Sequence, residues 1–165
     1  MRSKNTLAAP LAALACVFAA LPARAEPEAR HVIHFELAGL GLNGSASISY
    51  EHLVGDHGGV RVGLGYAALN GFDGDGRGVG AFAMWDFLFG RGASRFELGL
   101  GLSVLFQSDA YDWCWVGGLD GTCVDPQLSI AYRHQPRAGG FLFRAGLMWT
   151  LSYGMPLGIG AGWAF

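Results

Sequence analysis

Lysine is nearly missing from this chain of 165 residues: it occurs once, at Lys4. Charged residues of every kind make up only 15% of the sequence, and there are three cysteines and six prolines. Beyond residue 25 no stretch repeats its apolar residues every 3.6 positions, which excludes a fold built from amphipathic helices. No apolar run reaches the roughly 20 uninterrupted residues of a membrane-spanning helix. The shortage of basic groups argues against nucleic acid as a partner, because phosphates are held mostly by Lys and Arg. Glycine-rich stretches fall in strands and hairpins, so no phosphate-cradling loop precedes a helix.

What is present begins with an export signal. Arg2 and Lys4 precede an apolar stretch from Leu7 to Leu21, and Ala23, Arg24 and Ala25 fit a small-residue cleavage site. Cleavage after Ala25 would divide the chain into a signal peptide, 1–25, and one domain, 26–165. Cys16 follows Leu14 and Ala15, which raises a lipoprotein alternative, but Ala13 makes a poor match to such a signal. Loss of Arg2, Lys4 and Arg24 leaves eight basic against thirteen acidic residues, a formal charge near −5. Cys114 and Cys123 lie close together with no His or third Cys near them. In an oxidising compartment such a pair reads as a disulfide rather than a metal or catalytic site.

The dominant signal is alternation with a period of two. It predicts eight strands, at approximately 31–41, 45–54, 60–69, 78–89, 95–107, 127–135, 141–152 and 156–165. Gly, Asn, Asp and Pro between them supply turns. Two connections read as longer, "NGFDGDGRG" and "SDAYDWCWVGGLDGTCVDP". In the fifth strand Phe96, Leu98, Leu100, Leu102, Val104 and Phe106 share one face, against Glu97, Gly99, Gly101, Ser103, Leu105 and Gln107. The third, sixth, seventh and last strands sort in the same way. The first and fourth obey least well, since Phe82, Met84 and Leu88 share the face of Asp86.

A barrel in water would bury the large apolar face and show charge outside. Here the second face is mostly Gly, Ala and Ser with isolated charges, too sparse for a solvated exterior. The inverse arrangement fits: large apolar groups toward lipid, small and polar groups toward a lumen. An Arg or Lys on the lipid face at mid-bilayer costs roughly 2–4 kcal/mol, and these strands place none there. An even strand count puts both termini on one side. The connections "GDHGG", "GRGAS" and "QPRAGG" fall on that side, and the two longer ones fall opposite.

The signal peptide, the eight alternating segments and the terminal "GAGWAF" together resemble the small OmpA/OmpX-type outer-membrane β-barrels over essentially the whole processed chain. "YRHQPRAGGFLFRAG", 132–146, also looks like a turn segment of bacterial barrel proteins. The resemblance implies an all-β fold, a transmembrane antiparallel up-and-down barrel in the bacterial outer membrane. It implies a monomer in contact with lipid and lipopolysaccharide. It further implies that Trp163 and Phe165, closing the last strand, are read by the outer-membrane assembly machinery. About activity it is nearly silent.

Seven charged residues are expected to face the lumen: Glu36, Glu51, Arg61, Asp86, Glu97, Arg133 and Arg144. In so narrow a barrel they must pair, because an isolated buried ion is very costly. A salt-bridged plug is the expected outcome, with a polar gate for small solutes as the alternative. The outer loops offer Asp73, Asp75 and Asp120, with Trp113 and Trp115 flanking Cys114, as candidates for surface interaction. "DGDG", 73–76, lacks the further ligands of a calcium loop, so no metal or cofactor is expected. Some small barrels act as lipid A enzymes, but their His-x-Ser pattern is absent after all five histidines. The expected function is structural or surface interaction, with a narrow channel second and an envelope-lipid enzyme third.

Overall fold

Alternation becomes strand throughout the computed structural model, which describes residues 29–38, 43–71, 74–107, 116–119, 122–150 and 157–165. The expected export signal, Cys114, Asp73, Trp113, Trp115 and Asp120 lie outside these residues. Nine strands are described: β1 (His31–Ala38), β2 (Asn43–Leu53), β3 (Gly58–Gly71), β4 (Gly74–Phe89), β5 (Ser94–Gln107), β6 (Val116–Leu119), β7 (Thr122–His134), β8 (Gly140–Thr150) and β9 (Leu157–Ala164).

Each neighbour pair is antiparallel. β5 passes over β6 to pair with β7, and β1 pairs with β9 from Val32↔Ala164 to Ala38↔Gly158. The result is a closed wall of eight strands, with β6 laid as a short ninth along the start of β7. Closure leaves no free edge on the wall, which removes the usual hazard of unpaired strand backbone.

Two boundaries differ from the sequence reading. The ladder between β3 and β4 continues to Gly71↔Gly74, so "NGFDGDGRG" is mostly a prolonged hairpin rather than a long loop. β7 begins at Thr122, and β6 occupies part of the other long connection. Both differences have one cause. Gly and Asp were read as turn chemistry, but strands this regular carry them in register with a partner whose backbone supplies the hydrogen bonds.

The three short connections lie at the end that holds Ala29 and Phe165, here called the turn end. Glycines with positive φ bend them, among them Gly55 (φ 70°) and Gly139 (φ 95°). At Gly139 a Cβ would also meet the Ala164 carbonyl oxygen at 2.8 Å, so this turn needs glycine twice over. Arg95 ties two turns together, its Nε donating to Gly92 O at 3.2 Å and its Nη1 to Asp56 O at 3.3 Å.

The outer face is apolar. Among the described residues, 27 large apolar side chains are exposed, from Phe87 at 37% to Leu64 at 64%. Each such side chain gains about 1.5–3 kcal/mol when fully withdrawn from water. Gathered on one continuous outer face, 27 of them far exceed the apolar patches of a few hundred Å² that proteins expose to water. Such a belt on a closed barrel belongs in hydrocarbon. The interior is layered instead. At the turn end Ala29, Val32, Leu142 and Ala164 form a buried apolar cluster, and Leu53 and Leu88 are buried as well. Ions come next, and small residues follow toward the other end. This layering explains why the fourth strand broke the simple rule: Met84 and Leu88 fill the lumen as core.

Candidate functional site

Seven of the eight wall strands contribute one acidic or arginine side chain to a single layer across the lumen. They are Glu36 from β1, Glu51 from β2, Arg61 from β3, Asp86 from β4, Glu97 from β5, Arg133 from β7 and Arg144 from β8. All seven are buried, none more than 6% exposed. The eighth strand, β9, contributes glycine. At Gly158 a Cβ would lie 2.9 Å from Glu36 Oε1, so its absence leaves room for the carboxylate. Gly59 does the same for Glu51, and Gly99 for Asp86.

The pairing is continuous. Arg61 holds Asp86 in a forked contact, Nε to Oδ2 at 3.0 Å and Nη2 to Oδ1 at 3.1 Å. It also approaches Glu36 at 3.6 Å and Glu97 at 3.5 Å. Arg133 forks onto Glu51, Nη1 to Oε1 at 2.8 Å and Nη2 to Oε2 at 2.7 Å, and reaches Glu97 at 3.3 Å. Arg144 donates to Glu97 through Nε at 2.8 Å, with Nη2 at 2.7 Å from the same oxygen, and pairs with Glu36 through Nη1. Glu97 is thus shared by all three arginines. Bidentate guanidinium–carboxylate contacts of this kind are the strongest ordinary ion pairs.

Two buried groups extend the layer and were not singled out in the sequence. His34 Nε2 donates to Glu51 Oε2 at 2.8 Å, and Arg133 Nη2 donates to Gln135 Oε1 at 2.5 Å. His34 shares the parity of Glu36, two residues away on β1, which is the signal that could have found it. Gln135 follows the last residue of β7, where a turn was expected.

Toward the other end the lumen opens into a cavity of about 110 Å³. Glu36 and Arg61 floor it, and Ser47, Ser103, Gln127 and Thr150 are among its walls. Such a space holds on the order of a few waters, and the ion layer closes it below. The one His–acid contact among the described residues, His34 with Glu51, does not line this cavity. Ser49 stands opposite His34 in the ladder but is buried and is likewise absent from the cavity wall, and His34 Nδ1 has no hydrogen-bond partner. Among the described residues these groups do not assemble a nucleophile on the cavity wall. Among the described residues no group of three His, Cys, Asp or Glu side chains could hold a metal ion.

The remaining candidates are scattered. Cys123 is buried and disulfide-bonded. Asp75 pairs with Asn70 in the β3–β4 ladder. Trp163 and Phe165 project outward at the turn end, 59% and 56% exposed.

No protein-family model matches the chain, and no curated protein matches it in sequence. Among solved structures, the outer membrane protein Ail of Yersinia pestis in a phospholipid bilayer nanodisc aligns with a TM-score of 0.56 and 14% identity, over 84% of this chain and 100% of that one. A second structure, Ail in complex with the heparin analogue sucrose octasulfate, aligns with a TM-score of 0.45 and 15% identity, over 85% of this chain and 99% of that one. The fold is that of a small eight-stranded barrel of the bacterial outer membrane.

Proposed function

We propose that this outer-membrane barrel is a closed, non-conducting surface protein that acts through its outer loops. The observation that carries the reading is the ion layer, to which every wall strand but β9 contributes one charged side chain, each drawn to a neighbour of opposite sign. Opening it would separate buried ions, and each separated pair costs roughly 3–5 kcal/mol. An eight-stranded barrel has an interior only just wide enough for side chains to fill, so no second path runs beside the layer. That the His34–Glu51 contact is absent from the cavity wall supports a role without catalysis.

The wall is also taller than a membrane needs. β3 and β4 have 14 and 16 residues, against the roughly 9–11 that cross a bilayer. Their hairpin therefore rises above the lipid on the side of the longer loops and carries Asp75 with it. In the sequence of the outer segments Asp73, Asp75, Asp109, Asp112 and Asp120 are set against Arg77 alone. The partner that suits such loops is cationic, either a basic protein surface or divalent cations shared with lipopolysaccharide phosphates. A disulfide from Cys123 to Cys114 would hold Trp113 and Trp115 in a fixed loop. The export signal, cleaved after Ala25, and the terminal Trp163 and Phe165 serve delivery and assembly, and the protein works as a monomer.

Planar-bilayer recording tests the reading. The refolded barrel should give no unit currents at any holding voltage. Steady, discrete conductance steps would overturn the plug in favour of a narrow channel gated at the ion layer.

A further inference from the structure

Away from the lumen, two histidines meet on the outer face at the turn end. His31 and His52 stand directly opposite each other on β1 and β2. The flanking hydrogen bond, Leu53 N–H to Arg30 O at 2.8 Å, makes this a non-hydrogen-bonded pair, the kind whose side chains approach most closely. Their Nδ1 atoms are 3.5 Å apart. The phenol oxygen of Tyr50, two residues along the same face of β2, lies 2.5 Å from His31 Nδ1. His31 is held from behind as well. Its ring stacks on Phe165 at 5.8 Å, and its backbone exchanges two hydrogen bonds with Phe165, at 3.0 and 2.8 Å.

We propose that His31, His52 and Tyr50 form a binding site for a divalent transition-metal ion of the zinc type at the rim of the barrel. Without a cation the two neutral rings can share only a long N–H···N contact, 3.5 Å between the nitrogens. A shared cation satisfies both lone pairs. Zinc binds imidazole nitrogen at about 2.0–2.1 Å with tetrahedral geometry, which places two ligand atoms about 3.3–3.4 Å apart. The observed 3.5 Å requires almost no movement. The Tyr50 oxygen, now hydrogen-bonded to His31 Nδ1 at 2.5 Å, would swing outward by about 0.8 Å to reach tetrahedral spacing as a third ligand, and water completes the shell. Imidazole nitrogen also suits copper and nickel, so the site selects by ligand type rather than for one metal. Because Phe165 stacks on His31, a bound ion would clasp β1 to β2 beside the seam where the barrel closes.

Zinc chloride titrated into the untagged, refolded barrel in detergent, against a chromophoric chelator, tests the site. One equivalent should bind at micromolar concentration. Loss even of an outer-shell support to a ligand weakens metal binding about 10–100-fold, so His31→Gln and His52→Gln should each lose at least tenfold in affinity. Tyr50→Phe should lose several-fold. His57→Gln and His134→Gln, which alter histidines outside this pair, should bind as the unaltered chain does. Heat-dependent gel mobility verifies that each variant is folded. No binding by the unaltered barrel, or binding that survives both His31→Gln and His52→Gln, would overturn the proposal. Unchanged affinity in Tyr50→Phe would remove the tyrosine from the ligand set.

Discussion

Replacing Arg144 by leucine removes the guanidinium that joins Glu36 to Glu97. In the unaltered layer four carboxylates face three arginines. In Arg144→Leu four face two, and the Glu97 oxygen that took both Nε and Nη2 keeps only the 3.5 Å contact to Arg61. Breaking a buried pair by deleting one partner costs roughly 3–5 kcal/mol, most of it from the ion left behind. That corresponds to roughly a 150- to 5,000-fold loss in the folding equilibrium, at about 1.4 kcal/mol per tenfold. Urea unfolding in lipid vesicles, followed by the fluorescence of outward-facing Trp85 and Trp163, reads the loss directly. A second substitution separates the ionic effect from lost packing. Glu36→Leu added to Arg144→Leu deletes one stranded carboxylate, and buried ion pairs replaced together by apolar groups are often neutral. The double variant should therefore recover at least half of the loss. A single variant within about 0.5 kcal/mol of the unaltered barrel, or a double variant whose losses simply add, would refute the ionic account of the plug.

Two further outcomes follow from the two faces of the wall. Leu64→Arg, at the most exposed large apolar position of the outer belt, should destabilise the barrel in vesicles by roughly 2–4 kcal/mol; a neutral result would mean that the position is not in hydrocarbon. Gly99→Val would place a Cβ 2.5 Å from Asp86 Oδ1 and 3.0 Å from Met84 Cε. Such overpacking costs about 1–3 kcal/mol and should slow refolding on a heat-modifiability gel, whereas Gly65→Ala, whose Cβ would meet only the Ala46 carbonyl oxygen at 3.4 Å and Ser47 Cβ at 3.5 Å, should refold in good yield.

Which face each residue takes was legible from parity alone, because one slip in register would turn every large side chain inward. Phe96 against Glu97 and Phe143 against Arg144 each decide their whole strand. Residues with little side chain carried no such signal. Gly71, Gly74, Asp75 and Gly76 read as a loop and pair in a ladder, since nothing in a glycine tells a ladder from a turn. His34 was illegible for a different reason. A histidine among apolar neighbours on β1 is ambiguous until Glu51, seventeen residues away, closes over it at 2.8 Å. Which arginine meets which carboxylate depends on the stagger between strands, a three-dimensional quantity that alternation does not encode.

The sequence distances inside the ion layer bear on how such a barrel can form. Arg144 reaches Glu36 across 108 residues, and Arg133 reaches Glu51 across 82. A partly assembled sheet that entered the bilayer early would carry those side chains into hydrocarbon before their counterparts arrived. The charges can shed their hydration only when the last strand docks against the first, so dehydration of the centre and sealing of the cylinder must be one event. Until that moment the nascent lumen has to stay wet.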